Sequence, residues 1–184
     1  MESSEDAASD LAAQIRLELA DPAPQGFAFN DHAIRQDAGL DRLVERLRHH
    51  PDAAEVEAAV SSSVAEERDG WTLLKLLELV ERLSLAGAVE PLLRLAASPQ
   101  QDARGRFLAG RACEVMLTLP LDLETRNRVN EVSKGPLDDI ARFRMGAERA
   151  QRMHRPRQVE WTLLAALMAL AGAGVVVAWL ALGR

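Results

Sequence analysis

From Trp161 to Gly183 the chain runs for 23 residues without a charge, and Thr162 supplies the only hydroxyl. At about 1.5 Å per residue a helix of that length spans about 34 Å, enough for a hydrocarbon core roughly 30 Å thick. Lipid offers backbone amides no water to bond, so a closed helix is the cheapest way across. Trp161 and Trp179 stand near the two ends, where indole rings prefer the headgroup boundary. Leu164, Leu167, Leu170, Val175, Val176 and Leu180 supply the lipid-facing bulk. The rival reading is a buried core helix, which suits a small domain poorly because the stretch has no polar face.

The flanks give this segment a direction. Arg142, Arg144, Arg149, Arg152, Arg155 and Arg157 precede it with only Glu148 among them, whereas Arg184 alone follows it. Basic residues stay on the cytoplasmic side, so the expectation is a single-pass, tail-anchored protein with its N-terminal domain in the cytoplasm, inserted after release from the ribosome. The opening residues, Met1 to Asp6, are acidic and lack the basic-then-apolar order of an export signal. The bias toward Arg, with Lys only at Lys75 and Lys134, and the abundance of Ala and Leu hint at a GC-rich bacterial genome, hence a bacterial inner membrane. Within the span, Ala165, Ala169 and Ala173 share one face and Gly174 and Ala178 another, spacings that let helices approach closely. Self-association and a plain lipid anchor both remain open.

The rest of the chain predicts an all-α fold. Aromatic residues make up only 4%, with no Tyr, so Leu, Ala and Val must do the packing, and these favour helices over strands. Four stretches follow: an acidic segment 1–30 with a short helix near 8–20 and a Pro/Gly linker, a helical domain 31–135, an Arg-rich juxtamembrane helix 136–160, and the anchor 161–183. Leu11, Ile15, Leu17 and Leu19 form a partial stripe on the first helix, and Phe27 and Phe29 in the linker either dock onto the domain or meet a partner.

Beyond the linker the 3.6-residue period is persistent. Leu40, Leu43, Val44 and Leu47 form one stripe, and Val56, Ala59, Val60 and Val64 the next, with Pro51-Asp52 as turn and cap between them. Gly70 opens a helix so dense in Leu that it belongs at the centre. Helices over 88–97 and 102–119 come next, then a short one from Leu123 to Val132. Lys134-Gly-Pro136 is expected to break the chain before the arginine-bearing helix starts at Leu137. That last helix either lies along anionic headgroups or simply fixes topology.

The run Val89-Glu-Pro-Leu-Leu-Arg-Leu-Ala-Ala-Ser-Pro-Gln-Gln-Asp-Ala-Arg-Gly-Arg-Phe-Leu-Ala109 resembles a HEAT-type repeat. It has a Leu-rich helix bearing a proline, a short polar turn, then Arg and small residues opening a second helix. An earlier stretch, Leu40 to Ala59, has a similar layout without the arginine, and Pro51 and Pro99 are 48 residues apart, near the ~40–47 period of such repeats. The resemblance, over about 40–119, implies a short HEAT-like α-solenoid that binds protein partners. A compact helical bundle stays beside it as the alternative.

No catalytic, cofactor or metal constellation emerges. The four histidines, His32, His49, His50 and His154, fall in no ligating or nucleophile pattern, and Cys113, the only cysteine, reads as a small buried hydrophobe. The acidic pairs Glu66-Glu67 and Asp138-Asp139 sit at helix ends. No glycine cluster cradles a phosphate. Residues 1–135 carry 15 basic against 24 acidic side chains, a net of −9 that disfavours nucleic-acid phosphates. Arg104 and Arg111, two turns apart on one face, are a candidate surface for an acidic partner segment, or else pair with neighbouring helices.

Three non-enzymatic readings result: a membrane-tethered adaptor holding an unidentified protein, an effector that perturbs the bilayer by gathering its anchors as a homo-oligomer, and an accessory subunit of a larger membrane complex. Membrane lipids are partners in all three.

Overall fold

The computed structural model describes residues 2–20, 34, 37–98 and 102–154. Among these residues there are seven α-helices and no strand: α1 (Glu2–Leu19), α2 (Ala38–Arg48), α3 (Ala53–Glu66), α4 (Gly70–Leu83), α5 (Val89–Ala97), α6 (Ala103–Thr118) and α7 (Leu123–His154). A 3-10 turn, Ala86–Ala88, precedes α5. The chain divides into two compact units, Met1–Arg144 and Met145–Arg184. The first holds α1 to α6 and α7 as far as Arg144; in the second, the described residues continue the α7 backbone.

Aspartates start most of the helices. Asp37, Asp52, Asp69 and Asp102 each stand just before a helix and accept from its first amides, and Asp122 does the same for the Thr125 amide at 2.9 Å. A carboxylate there satisfies donors that the helix itself cannot, typically for about 1 kcal/mol. A good part of the acidic surplus thus serves helix starts.

The stripes pack as the periodicity predicts. Leu40, Leu43, Val44 and Leu47 of α2, and Val56, Ala59, Val60 and Val64 of α3, are all buried. So are Leu73, Leu74, Leu76, Leu77, Leu79 and Val80, which places α4 at the centre. Each such Leu or Val, fully buried, contributes about 1.5–3 kcal/mol against the cost of ordering it.

Most of the packing joins helices one or two places apart along the chain, and α1 also touches α4. α1 lies on α3, α3 on α5, α2 on α4, and α4 on α6, while α5 and α6 face each other directly. Residue order shows that next-but-one helices run the same way. Ser63 donates to the Ala12 carbonyl and Arg16 pairs with Glu66, so both numbers rise together along α1 and α3. Asp37 meets Lys75 and Asp41 meets Arg82 along α2 and α4; Asp69 meets Arg104 and Glu78 meets Arg111 along α4 and α6. With α3 also packed on α5, two rows result, an odd row beginning α1, α3, α5 and an even row α2, α4, α6. Near its start α7 joins the odd row, where Arg128 pairs with Glu90 of α5.

Three expectations change. The first helix begins at Glu2, not near residue 8, and its buried face is Leu11, Ala12, Ile15 and Leu19, with Leu17 79% exposed. Leu17 is two residues from Ile15, which puts it about 200° around the helix, on the far side. In the earlier HEAT-like stretch, α2 and α3 have little direct packing and turn instead to α4 and α1. Finally, the break at Lys134-Gly-Pro136 does not occur, because α7 runs through Pro136.

An interior proline removes one amide bond and typically costs about 3 kcal/mol. Close packing against α6 offsets it. A Cβ on Gly110 would lie 2.5 Å from Cβ of Ile140 and 2.7 Å from the Pro136 carbonyl oxygen, so only glycine lets the two helices approach this closely. Phe107 and Phe143 extend the contact, with ring centroids 5.1 Å apart.

Candidate interaction surface

Sequence reasoning offered Arg104 and Arg111 as one surface, and the structure separates them. Arg104 is half-exposed, with Asp69 at 3.5 Å. Arg111 is 4% exposed and cannot meet a partner from solvent. Its guanidinium bonds Glu78 at 3.0 Å and Glu114 at 3.4 Å and also contacts Glu81. Inside a protein such a charge survives only if paired and hydrogen-bonded.

Arg111 is the middle of a longer alternation. Asp41 of α2 pairs with Arg82 of α4, which bonds Glu78 at 2.9 Å; Glu78 bonds Arg111 of α6, and the α6 carboxylate Glu114 grips Arg144 of α7 through two bonds, one of 2.9 Å. Opposite charges thus connect α2, α4, α6 and α7 in sequence. Helical spacing makes the local links: 78 and 82 are one turn apart, as are 111 and 114. Nothing in the linear sequence distinguished Arg111 from a surface arginine, because Glu78 and Glu81, the partners that hold it inside, lie 30 or more residues away.

The same row hides Lys75, 2% exposed. Its ammonium lies 3.0 Å from Asp37, 3.5 Å from the Leu19 carbonyl and 5.5 Å from the centre of the Trp71 ring. Burial pushes the Asp37 carboxyl up, yet the Lys75 ammonium and the Leu40 and Gly39 amides outweigh it and hold the group below its ordinary value of 3.8. Lys75 therefore ties the end of α1 and the cap of α2 to α4. Cys113 is buried, and burial pushes its thiol up, the opposite of a reactive thiolate.

Concave ground lies along α7. Between α5 and α7 an open groove of about 560 Å³ has Leu93, Ala97 and Val132 on its floor and the exposed Glu90–Arg128 pair on its rim. A second hollow, about 450 Å³, lies where Phe107 meets Phe143, flanked by Arg106, Asp139 and Arg142. These recesses can accept apolar side chains between charged rims, the arrangement of a protein-binding patch rather than of an enclosed small-molecule site.

His49 is exposed and His50 half-buried at the end of α2, where each ring nitrogen Nδ1 bonds locally, to the Glu45 carbonyl at 2.9 Å and the Asp52 carbonyl at 3.1 Å. Among the described residues no group of three or more His, Cys, Asp or Glu side chains is placed to hold a metal ion. Nor is any described helix long and apolar enough to cross a membrane. Trp161, Leu164, Leu167, Leu170, Val175, Val176, Trp179 and Leu180 lie outside the described residues, as do Ala165, Ala169, Ala173, Gly174, Ala178, Arg155 and Arg157. The same holds for Phe27, Phe29 and His32. Of the flanking arginines, Arg142 is exposed with Asp139 at 3.5 Å, Arg144 is held by Glu114, and Arg149 and Arg152 lie on the α7 backbone.

No protein family matches the chain, and no curated protein or solved structure is significantly similar to it.

Proposed function

We propose that the chain is a non-enzymatic, membrane-tethered adaptor: a cytoplasmic helical domain presents a protein-binding surface, and Trp161–Gly183 confines it to a bilayer. The observation that carries this reading is the uncharged 23-residue stretch with six arginines on one side and one on the other. The domain is a short HEAT-like α-solenoid. What supports this is that most packing joins helices one or two places apart along the chain, with α1–α3, α2–α4 and α4–α6 parallel, as in stacked helix pairs. The groove between α5 and α7 is the partner surface, since its apolar floor and charged rim suit a protein segment.

Membrane fractionation followed by alkaline carbonate extraction tests the anchor. Full-length protein is expected in the pellet, and a chain ending at His154 in the supernatant. Full-length protein that purifies as a monodisperse monomer without detergent would overturn the reading. Affinity capture from detergent-solubilised membranes tests the adaptor role, with Leu93→Glu in the groove expected to lose what the wild type retains.

The small-residue spacing of Ala165, Ala169 and Ala173 favours a second reading, an effector whose gathered anchors perturb the bilayer. Dye leakage from vesicles carrying the full-length protein would select it; intact vesicles reject it.

A further inference from the structure

The arginines before the anchor are not equivalent, and the difference suggests a device. Arg142 is 72% exposed, whereas the Arg144 guanidinium is drawn onto α6 by two bonds to Glu114. Glu114 is itself fixed by Arg111, 4% exposed, which Glu78 and Glu81 hold from α4. Arg144 therefore docks on a carboxylate that is already oriented. Immediately before it, Phe143 packs on Phe107 and Ile140 on Gly110, so the ion pair closes the seam between α6 and α7.

We propose that Glu114 and an anionic lipid surface compete for Arg144, making this ion pair a latch that acidic headgroups open. The inference rests on the membrane reading above and deepens it, naming the lipid class that acts on the domain. The anionic oxygens of acidic headgroups accept from a guanidinium as Glu114 does, and the net negative surface they form, which zwitterionic headgroups lack, also attracts Arg142, Arg149 and Arg152. The Glu114–Arg144 pair is partly solvated, with side chains 24% and 41% exposed, so the exchange needs no deeply buried charge to be stripped of its partner. Arg111 stays in place because Glu78 and Glu81 hold it from the other side. Opening the latch loosens the α6–α7 seam and the hollow around Phe107 and Phe143.

The test is amide hydrogen exchange over 137–146 in the full-length chain, reconstituted in nanodiscs of phosphatidylcholine alone or mixed with phosphatidylserine. The latch predicts exchange several-fold faster with phosphatidylserine for the wild type. Glu114→Gln and Arg144→Gln should both show the fast rate in either membrane. Equal wild-type rates in the two lipids would overturn it, and so would a Glu114→Gln variant as protected as the wild type in neutral lipid. Circular dichroism of both variants guards against global unfolding, and in that case the wild-type comparison alone decides. Flotation of the wild type with neutral vesicles separates the two claims: failure to float sinks the membrane reading, whereas floating with lipid-independent exchange sinks only the latch.

Discussion

The odd and even rows are both built by packing every second helix together but are joined by different chemistry. Along the odd row, apolar contacts such as Ala12, Ile15, Ala59 and Val60 close the seams, and ion pairs such as Arg16–Glu66 and Glu90–Arg128 stay at the wet margin. Along the even row the charges move inside, with Lys75 against Asp37 and Arg111 against Glu78. Exposed pairs add little because water screens them and both side chains lose freedom. Buried pairs add little net stability either, yet losing one partner is costly because the other is stranded. The even row is thus the row whose register is specified: a helix that slips by one turn leaves a charge without its complement.

The largest expected effect breaks that contrast at its centre. Arg111→Leu leaves the buried Glu78 with Arg82 as its remaining arginine and should destabilise the domain by up to about 3–5 kcal/mol, read as a fall in urea midpoint. Adding Glu78→Gln to it should return part of the loss, and a double variant no better than the single would refute the charge-imbalance account. Next comes the α6–α7 seam, where Gly110→Ala forces Ile140 and the Pro136 carbonyl away and should cost about 1–3 kcal/mol. A variant with an unchanged thermal midpoint would show that the close approach is not needed.

Lys75→Met should have an effect of similar size or smaller, about 1–3 kcal/mol, because Asp37 keeps its amide donors and some solvent. Its signature is the pH dependence. The folded Asp37 carboxyl lies below its ordinary value, so its contribution is fully present above that value and is lost as pH falls through the lower, folded one. Acid titration of stability should be shallower below about pH 4 in Lys75→Met than in the wild type. The smallest effect sharpens the other side of the comparison: Arg128→Gln, at the exposed margin of the odd row, should leave the denaturation midpoint unchanged within error. A clear shift there would erase the distinction between the rows.

Much of this fold is legible in the sequence, for reasons that particular residues make plain. The stripes of α2, α3 and α4 are dictated by local period, which burial in any helical arrangement would preserve. Leu17 misled because a run of Ile, Leu and Leu at every second position contains two faces, and only packing selects Ile15 and Leu19 over it. Pro136 misled for a tertiary reason too: the glycine that makes room for it is 26 residues upstream. Lys75 and Arg111 are invisible as core residues because hydropathy ranks them with the surface, and Asp37 and Glu78, which hold them inside, lie 30 or more residues away in the chain. Of the five capping aspartates only Asp52 is read as one from the sequence; Asp37, Asp69, Asp102 and Asp122 were the overlooked local signal, since each stands directly before a helix.

Cys113, the sole thiol of the chain, faces inward at the heart of α6. Sealed from reagents and held protonated by its surroundings, it can be alkylated only during moments when α6 comes away from its neighbours. The protein consequently carries its own clock for breathing motions: the pace of maleimide uptake at a single native atom counts the openings of the domain, in detergent or in a bilayer, with no label engineered into it.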